Sequence, residues 1–232
     1  MLHVEKLNQY YGESHTLWDV ELDVPEGKCT CLMGRNGVGK TTLLKSIVGA
    51  LPVESGKIRF AGGELFGMPS WERARRGIGL VPQGREIFAL LTVEENLLVG
   101  LAGNKDRKAR GIPKRIFELF PVLQKMLGRR GGDLSGGQQQ QLAIGRALMA
   151  EPKLLILDEP TEGIQPNIVQ QIGDILVELN EKEKLTILLV EQKLPFARRV
   201  GRHFCVLDRG RNVASGTMDE LTDDIVQRHL VV

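Results

Sequence analysis

A glycine-rich segment, Gly34–Thr41, constrains the fold of this chain more than any other feature of the sequence. It reads GRNGVGKT and fits the pattern G-x-x-x-x-G-K-[S/T] in full. The β-rich run Gly27–Met33 precedes it, and apolar residues at helical spacing follow it as far as Val48. Because its glycines let successive backbone N–H groups point inward at phosphate oxygens, the segment predicts a strand, a phosphate-binding loop and a helix over about 39–48.

The residue types of this loop predict a role for each group. Lys40 is expected to reach the β- and γ-phosphates of a nucleotide, and the Thr41 hydroxyl is expected to ligate Mg²⁺. The helix that begins near Gly39 adds its positive N-terminal end. The predicted nucleotide-binding residues of the loop are therefore Gly34, Arg35, Asn36, Gly37, Val38, Gly39, Lys40, Thr41 and Thr42.

Two carboxylates follow a buried strand further along the chain. The run Leu154–Leu157 is continuously apolar, and Asp158 and Glu159 come directly after it. Ligands of parallel α/β sheets lie beyond the carboxyl ends of the strands, so both side chains are predicted at the nucleotide. Mg²⁺ prefers oxygen ligands, which makes Asp158 a candidate metal ligand. Glu159 is the candidate general base that polarises an attacking water.

The order of strand and helix patterns predicts an α/β fold with a parallel sheet and an antiparallel N-terminal part. Strands are expected at Leu2–Leu7, Thr16–Val24, Lys57–Phe60, Gly79–Pro82, Leu154–Leu157, Thr186–Val190 and His203–Leu207. Helical patterns cover Ile168–Asn180, Phe196–Val200 and the tail Asp219–Val232. Between the strands, residues 84–150 carry only helical patterns, at Val93–Val99, Pro113–Leu119, Leu123–Leu127 and Gln138–Met149. We therefore expect one domain, with a sheet core at 1–83 and 151–232 and a helical subdomain inserted at 84–150.

Composition excludes several classes of protein. The 232 residues include 31 Lys and Arg against 29 Asp and Glu, a net charge of +2 that argues against a dedicated nucleic-acid binder. No apolar run is longer than five residues, far short of the roughly 20 that a membrane-spanning helix needs. No secretory signal is recognisable at the N-terminus, and three cysteines suit a reducing compartment. The expected location is the cytoplasm.

A third motif links these features to a known family. The sequence Leu134-Ser135-Gly136-Gly137-Gln138 precedes a helical pattern, and alone it is either an anion-binding helix N-terminus or a cap. Together with the phosphate loop and the acidic strand end, it closely resembles the ATP-binding subunit of ABC transporters, in which LSGGQ is the family signature. The resemblance covers essentially the whole chain. It implies a P-loop ATPase core with an inserted helical subdomain, ATP and Mg²⁺ as ligands, and a head-to-tail dimer in which each signature covers the other subunit's γ-phosphate.

The resemblance implies roles for further positions and names the partners. Tyr11 matches the aromatic residue that stacks on adenine, and Gln83 matches the glutamine that contacts Mg²⁺ and water. The segment Gly84–Leu91 lies where family members grip a short helix of the membrane subunit. The implied partners are two transmembrane permease subunits, a second ATPase subunit or another copy of this chain, and indirectly a solute-binding protein. The chain would then be peripheral on the inner face of the cell membrane.

Two positions depart from the family pattern. Gln192 stands where the family has a histidine that contacts the γ-phosphate, and Gln165 stands where the loop after Glu159 usually has an aspartate. The Gln192 amide can donate a neutral hydrogen bond to phosphate but cannot carry a proton. We expect ATP binding to persist and each change to slow hydrolysis at the chain's own site by about one to two orders of magnitude. In a pair with a different, sibling ATPase subunit, this chain's signature would complete the sibling's nucleotide site. That site would then be the faster of the two.

The departures themselves resemble one branch of the family. Val190-Glu191-Gln192, with the segments Gly84–Phe88 and Leu91–Leu97, looks like the second ATPase subunit of branched-chain amino acid importers. Within that group, the phosphate loop and the segment Glu159–Pro166 look most like the urea-import branch. The predicted function is to power import of a small nitrogen-containing solute: urea, short amides or branched-chain amino acids.

Two alternatives stay open. One is a soluble ABC ATPase that acts on ribosomes or DNA, although the chain has a single such domain and no sustained heptads between its motifs. The other is a regulatory subunit that binds nucleotide with little turnover, although the retention of Glu159 argues against a degenerate site.

Overall fold

Two β-sheets form the framework of the computed structural model, which describes residues 1–104 and 111–230. The strands in chain order are β1 (Leu2–Tyr11), β2 (Ser14–Val24), β3 (Cys29–Met33), β4 (Ser55–Phe60), β5 (Gly63–Glu64), β6 (Ile78–Val81), β7 (Leu154–Asp158), β8 (Thr186–Val190), β9 (His203–Asp208) and β10 (Arg211–Thr217). One sheet is antiparallel with the order β2-β1-β4-β5, and the other has the order β10-β9-β3-β8-β7-β6. In the second sheet β10 pairs antiparallel with β9 and all other pairs are parallel. The predicted mixed α/β fold is confirmed, with its antiparallel part in a sheet of its own.

The burial of each strand follows from its position in these sheets. Strands β3, β7 and β8 are buried at every residue, as expected for parallel strands covered on both faces. Strand β2 alternates over much of its length between buried and exposed residues, because one face of its sheet meets solvent. Strand β10 alternates between exposed and half-buried residues at the edge of the second sheet. These patterns explain why the central strands are the easiest to predict from apolar runs.

Helices fill the connections between the strands. They are α1 (Lys40–Ile47), α2 (Ser70–Arg75), α3 (Val93–Val99), α4 (Lys114–Leu119), α5 (Pro121–Gln124), α6 (Gly136–Leu148), α7 (Pro166–Glu181), α8 (Leu194–Val200) and α9 (Asp223–His229), with short 3₁₀ helices at Gly100–Gly103, Gly131–Asp133 and Met218–Glu220. Helices α3 to α6 all lie between β6 and β7. In the part of the chain that the structure describes, no helix has the length and apolar character needed to cross a membrane.

The parallel sheet has a different partner on each face. Along β7, Leu154 and Ile156 pack with α1 and the antiparallel sheet, in a core that includes Leu43 and Leu44. The alternate residues of β7 pack on the other face, against helices α3 to α8. Because the central sheet is fixed from both sides, the loops at its carboxyl edge extend from a rigid base.

The register of the parallel strands brings three loops to one edge. Val190 at the end of β8 pairs with Leu32 of β3 on one side and with Asp158 of β7 on the other. The phosphate loop follows β3, Glu159 follows β7 and Gln192 follows β8 by two residues. Groups more than 100 residues apart in the sequence therefore meet beyond the same strand ends.

Some local predictions differ from the structure. The helix expected at Leu123–Leu127 is instead α5, because Pro121 at the first helical position starts it earlier. After Gln124 the chain continues with backbone hydrogen bonds to the carbonyl oxygen of the third preceding residue. The Met126 N–H, for example, donates to the Leu123 carbonyl oxygen. The tail is not one helix: a 3₁₀ turn comes first, and the Thr222 hydroxyl caps α9 by accepting from the Ile225 N–H. The last two residues of the predicted tail helix lie outside the described residues.

Candidate functional site

A cleft of about 610 Å³ opens at the carboxyl edge of the parallel sheet. Its lining draws on the phosphate loop, on the loops after β7 and β8, and on the segment after β6. Among the residues predicted from sequence, it includes Asn36, Gly37, Gly39, Lys40, Thr41, Thr42, Gln83, Glu159 and Gln192. The predicted phosphate-binding and catalytic groups therefore share one cleft.

The phosphate loop has a backbone that requires glycine at its first position. Gly34 has a φ of 147°, and a Cβ there would lie 2.2 Å from the carbonyl oxygen of Leu207. Gly39, with a φ of 107°, immediately precedes α1, and no side chain caps the N–H groups of the first helical turn. An uncapped helix start without acidic residues in its first turn suits an anionic ligand.

Lys40 lies across this loop with its ammonium group almost fully buried. Its Nζ donates to the carbonyl oxygens of Gly34 at 2.8 Å and Arg35 at 2.9 Å, and lies 3.7 Å from Glu159 Oε1. Burial lowers the pKa of Lys40, and the negative charges of Glu159 and Asp158 offset part of that effect. The loop thus holds a desolvated cation at the point where a phosphate group would arrive.

Asp158 and Thr41 form a hydrogen-bonded pair close enough to Lys40 for the carboxylate to act on its charge. The Thr41 hydroxyl donates to Asp158 Oδ2 at 3.0 Å, while Asp158 Oδ1 is buried and has no hydrogen-bond partner among the described residues. Burial raises the pKa of Asp158, and the bond from Thr41 offsets part of the rise. The described residues contain no cluster of three or more His, Cys, Asp or Glu side chains able to cage a metal. One orphaned carboxylate oxygen beside a hydroxyl fits Mg²⁺, which takes few protein ligands when phosphate oxygens supply the rest.

The raised pKa of Asp158 gives a prediction with a definite sign. A folded-state pKa above the unfolded one means that stability is lost as pH rises through the folded pKa. Asp158→Asn removes that loss, so its Tm without nucleotide is expected to exceed the wild-type value at pH 7 by roughly 2–4 °C. The difference should shrink as the pH falls towards 4.

The same variant tests the metal ligand. Thermal shifts with ATP plus Mg²⁺ are compared with shifts in ATP plus EDTA, and the Mg²⁺-dependent increment is expected to disappear in Asp158→Asn. Asp224→Asn serves as the control, because Asp224 is exposed on the surface of α9, where it pairs with Arg228. A variant that keeps the wild-type Mg²⁺ increment would show that Asp158 does not bind the metal.

Glu159 is connected to both neighbouring loops. Its Oε1 accepts from the Nε2 group of Gln192 at 2.5 Å, and the same Nε2 donates to Asn36 Oδ1 at 2.7 Å. Glu159 itself has a φ of 48°, in the left-handed region that non-glycine residues rarely occupy. The Gln192 amide, which the sequence analysis expects to be able to donate to phosphate, bridges the candidate base and the phosphate loop in this structure.

Gln83 lines the cleft, and Tyr11 lies close to Thr42 of the lining. Gln83 Nε2 donates to Glu162 Oε2 at 3.0 Å, so the predicted Mg²⁺-contacting amide is held by the loop after β7. Tyr11 is half exposed, and its Oη lies 3.5 Å from the Thr42 hydroxyl. The Tyr11 hydroxyl therefore lies beside the start of α1, and stacking of its ring on adenine stays a prediction.

The signature motif caps α6 and faces a different cavity. Ser135 Oγ accepts from the Gln138 N–H at 3.4 Å, and Gln138 Oε1 accepts from the Ser135 N–H at 2.9 Å. Residues 135–138 line a cavity of about 870 Å³ together with Gln165 and the first part of α7. Within one chain, this structure does not bring the signature to the nucleotide cleft.

Sequence reasoning missed several polar side chains that connect these loops. Arg85 donates to Gln139 Oε1 of α6 and to the carbonyl oxygen of Glu162, each at 3.3 Å, which joins the helices to the loop after β7. Glu191 accepts from the Thr161 hydroxyl at 2.7 Å. In the sequence, Glu191 is marked only by its position directly after a buried strand. A carboxylate at that position is also typical of a strand that ends in solvent, so its role could not be predicted.

Comparison with known proteins identifies the type of site. A family profile described as "ABC transporter" matches residues 17–162. The chain is 45% identical over 218 residues to the high-affinity branched-chain amino acid transport ATP-binding protein BraG of Pseudomonas aeruginosa, covering 94% of this chain and 93% of that protein. It is 39% identical over 223 residues to a probable branched-chain amino acid transport ATP-binding protein, LivF, of Archaeoglobus fulgidus, covering 96% and 94%.

Solved structures give the same result for the fold. A nucleotide-free ATP-binding cassette from an ABC transporter superposes with a TM-score of 0.86 at 29% identity, covering 98% of this chain and 95% of that one. A dimeric cassette in a post-hydrolysis state, bound to ADP and Pi, superposes with a TM-score of 0.84 at 26% identity, covering 94% and 99%.

Proposed function

This chain belongs to the ABC transporter family and is an ATPase of that family, and we propose that it powers import of a small nitrogen-containing solute through separate permease subunits. The cleft carries the proposal: the Lys40 ammonium and the Glu159 carboxylate line it, and Asp158, with one unpaired oxygen, is buried directly behind Thr41 of the lining. A cation for phosphate, an oxygen ligand for Mg²⁺ and a base for water are the groups that ATP hydrolysis needs.

Each residue of the cleft has a part in the proposed reaction. Lys40 and the open N–H groups of α1 bind the phosphates, and Tyr11 stacks on the adenine. Thr41 and Asp158, with Gln83, hold Mg²⁺, which when bound offsets charge on the phosphate oxygens. Glu159 orients the attacking water and takes its proton on a carboxylate oxygen. Gln192 holds Glu159 against the phosphate loop through the 2.5 Å and 2.7 Å bonds of its amide.

A second subunit completes the proposed site. The signature faces its own cavity, so it can cover a nucleotide only in another chain. We propose that the partner is a sibling ATPase, or a second copy of this chain in isolation, and that the pair lies on the inner face of the membrane. With Gln192 and Gln165 at its own site, this chain is the slower partner and the sibling's site the faster one. Equal loss of transport from Lys40→Ala and from the sibling's equivalent change would contradict this asymmetry.

The solute is proposed from two sources. The names of the relatives from Pseudomonas aeruginosa and Archaeoglobus fulgidus support branched-chain amino acids. The resemblance of the phosphate loop and of Glu159–Pro166 to the urea-import branch supports urea or a short amide. Both belong to the same class of transporter, and the ATPase itself does not touch the solute.

Reconstitution tests the proposed function. The chain is combined with its permease subunits and sibling ATPase in proteoliposomes, and uptake of labelled leucine and labelled urea is measured with ATP on the ATPase side. We expect ATP-dependent uptake of one solute and none of the other. ATP hydrolysis without uptake of either would favour a soluble ABC ATPase, and nucleotide binding without turnover in the complete complex would favour a regulatory subunit.

A further inference from the structure

A buried carboxylate lies at the end of β8, next to Gln192. Glu191 is 2% exposed, and both of its oxygens accept hydrogen bonds. Oε2 accepts from the Thr161 hydroxyl at 2.7 Å, and Oε1 accepts from the backbone N–H groups of Gln192 at 2.8 Å and Lys193 at 3.0 Å. An ionised carboxylate only accepts, so all of its partners here are donors, as its chemistry requires.

The partner Thr161 belongs to the loop that carries the candidate base. Thr161 lies two residues after Glu159 and is 1% exposed. Its carbonyl oxygen accepts from the Lys193 ammonium at 3.0 Å, so a second bond runs between the same two loops in the opposite direction. The loops after β7 and β8 are therefore joined by two charge-assisted bonds, each of which is stronger than a neutral one.

These bonds complete a closed ring around the base. Glu159 is joined to Thr161 through the backbone, Thr161 to Glu191 through the hydroxyl, and Glu191 to the Gln192 backbone through its other oxygen. The Gln192 amide then returns to Glu159 Oε1. Any movement of one loop against the other must therefore change the contact between Gln192 and Glu159.

Burial of a carboxylate is costly unless its hydrogen bonds and nearby charges compensate. Lys40 and Lys193 are the cations of this part of the cleft, and Asp158 and Glu159 add negative charge. A neutral side chain would fill the same space without the cost of burying a charge. The carboxylate at position 191 therefore needs an explanation other than packing.

We propose that Glu191 is a positioning residue. It fixes the loop after β7 to the loop after β8, so that Gln192 holds the Glu159 carboxylate in a fixed position relative to the phosphate loop. The proposal rests on the proposed ATPase function of the same cleft. Glu191 does not touch the nucleotide and acts through Gln192 and Thr161. In Glu191→Gln the amide oxygen can still accept from the two backbone N–H groups, but the NH₂ that then faces the Thr161 hydroxyl cannot accept from it, so the charge-assisted bond between the two loops is lost.

Steady-state kinetics of the assembled transporter test this role. Glu191→Gln and Thr161→Val are each expected to lower kcat about 10- to 100-fold, the effect of a small misplacement of a catalytic group. KM and the ATP dissociation constant are expected to stay within about twofold, because Lys40 and the phosphate loop are untouched. Thr161→Ser keeps the hydroxyl and is expected to retain nearly the wild-type kcat. The double variant is expected to lose no more than either single one, since both break the same bond.

A matched control separates positioning from general stability. Asn180 is 4% exposed and donates to the carbonyl oxygens of Gly27 and Leu185, away from the cleft. Asn180→Ala is expected to lower Tm with kcat unchanged. The proposal is overturned if Glu191→Gln keeps the wild-type kcat, or if its kcat and ATP affinity fall together in proportion to its loss of Tm. A wild-type complex that binds ATP but never hydrolyses it would instead refute the proposed function.

Discussion

Glu159→Gln is expected to reduce the ATP turnover of the purified chain by about 10²- to 10⁴-fold, the contribution typical of a general base. The glutamine fills the same volume but its amide cannot take a proton from water. Nucleotide binding is expected to persist or to tighten, because the change removes a negative charge 3.7 Å from Lys40 Nζ, where phosphate would bind. Phosphate release at saturating Mg·ATP and binding of a fluorescent ATP analogue measure the two effects separately.

The control for this variant is Glu178→Gln. Glu178 lies on the surface of α7, 45% exposed, and pairs with Lys182, so the same chemical change occurs away from the cleft. Its turnover is expected to equal that of the wild type. If Glu159→Gln retained more than about a tenth of the wild-type rate, another group would have to be the base.

The dependence of the ATP hydrolysis rate on protein concentration tests whether the chain pairs with itself or needs the sibling subunit. A rate that rises faster than linearly with concentration, and vanishes in Glu159→Gln, means that the chain pairs with itself and hydrolyses ATP despite Gln192. A rate at the level of Glu159→Gln, with clear ATP binding, means that turnover needs the sibling subunit. The second outcome would favour the asymmetric pair, whereas the loss of turnover expected of Glu159→Gln requires the first.

Lys40→Met is expected to weaken ATP binding by about 10- to 100-fold, the effect of losing a hydrogen bond to a charged group. The side chain is 5% exposed, and its ammonium is fixed against the loop by two of the loop's carbonyl oxygens. Burial already lowers the pKa of Lys40. Methionine removes this desolvated charge at little cost to the fold, and the Tm without nucleotide is expected to change by only a few degrees.

Calorimetric titration with ATP and the thermal shift caused by ATP test this prediction together. Lys114→Met is the matched control, because Lys114 is 91% exposed on α4, where it pairs with Glu118. It is expected to bind ATP like the wild type. Wild-type affinity in Lys40→Met would mean that the backbone N–H groups of the loop alone bind the phosphates. A large loss of Tm would mean instead that Lys40 serves chiefly to hold the loop together.

The elements predicted best are those whose signal is local. The strand Thr186–Val190 and the helix Val93–Val99 have the predicted bounds, because a continuous apolar run marks the first and helical periodicity the second. Strand β10 was not predicted, since Arg211–Thr217 is polar at most positions and is exposed or half buried throughout. It is a strand because it pairs with β9 at the sheet edge, which no local pattern records.

For the site, the sequence by itself determined which residues are proposed to bear the chemistry. A loop that binds phosphate through its backbone needs glycines at set spacing, and a buried strand that ends in Asp158 and Glu159 needs no distant partner to be recognised. Only the tertiary structure decided what each polar side chain contacts. Gln192 meets Asn36 across 156 positions of sequence, and Thr161 meets Glu191 across 30. The physical reason is that a side-chain hydrogen bond spans about 3 Å, so strand order and register, rather than residue type, select its partner.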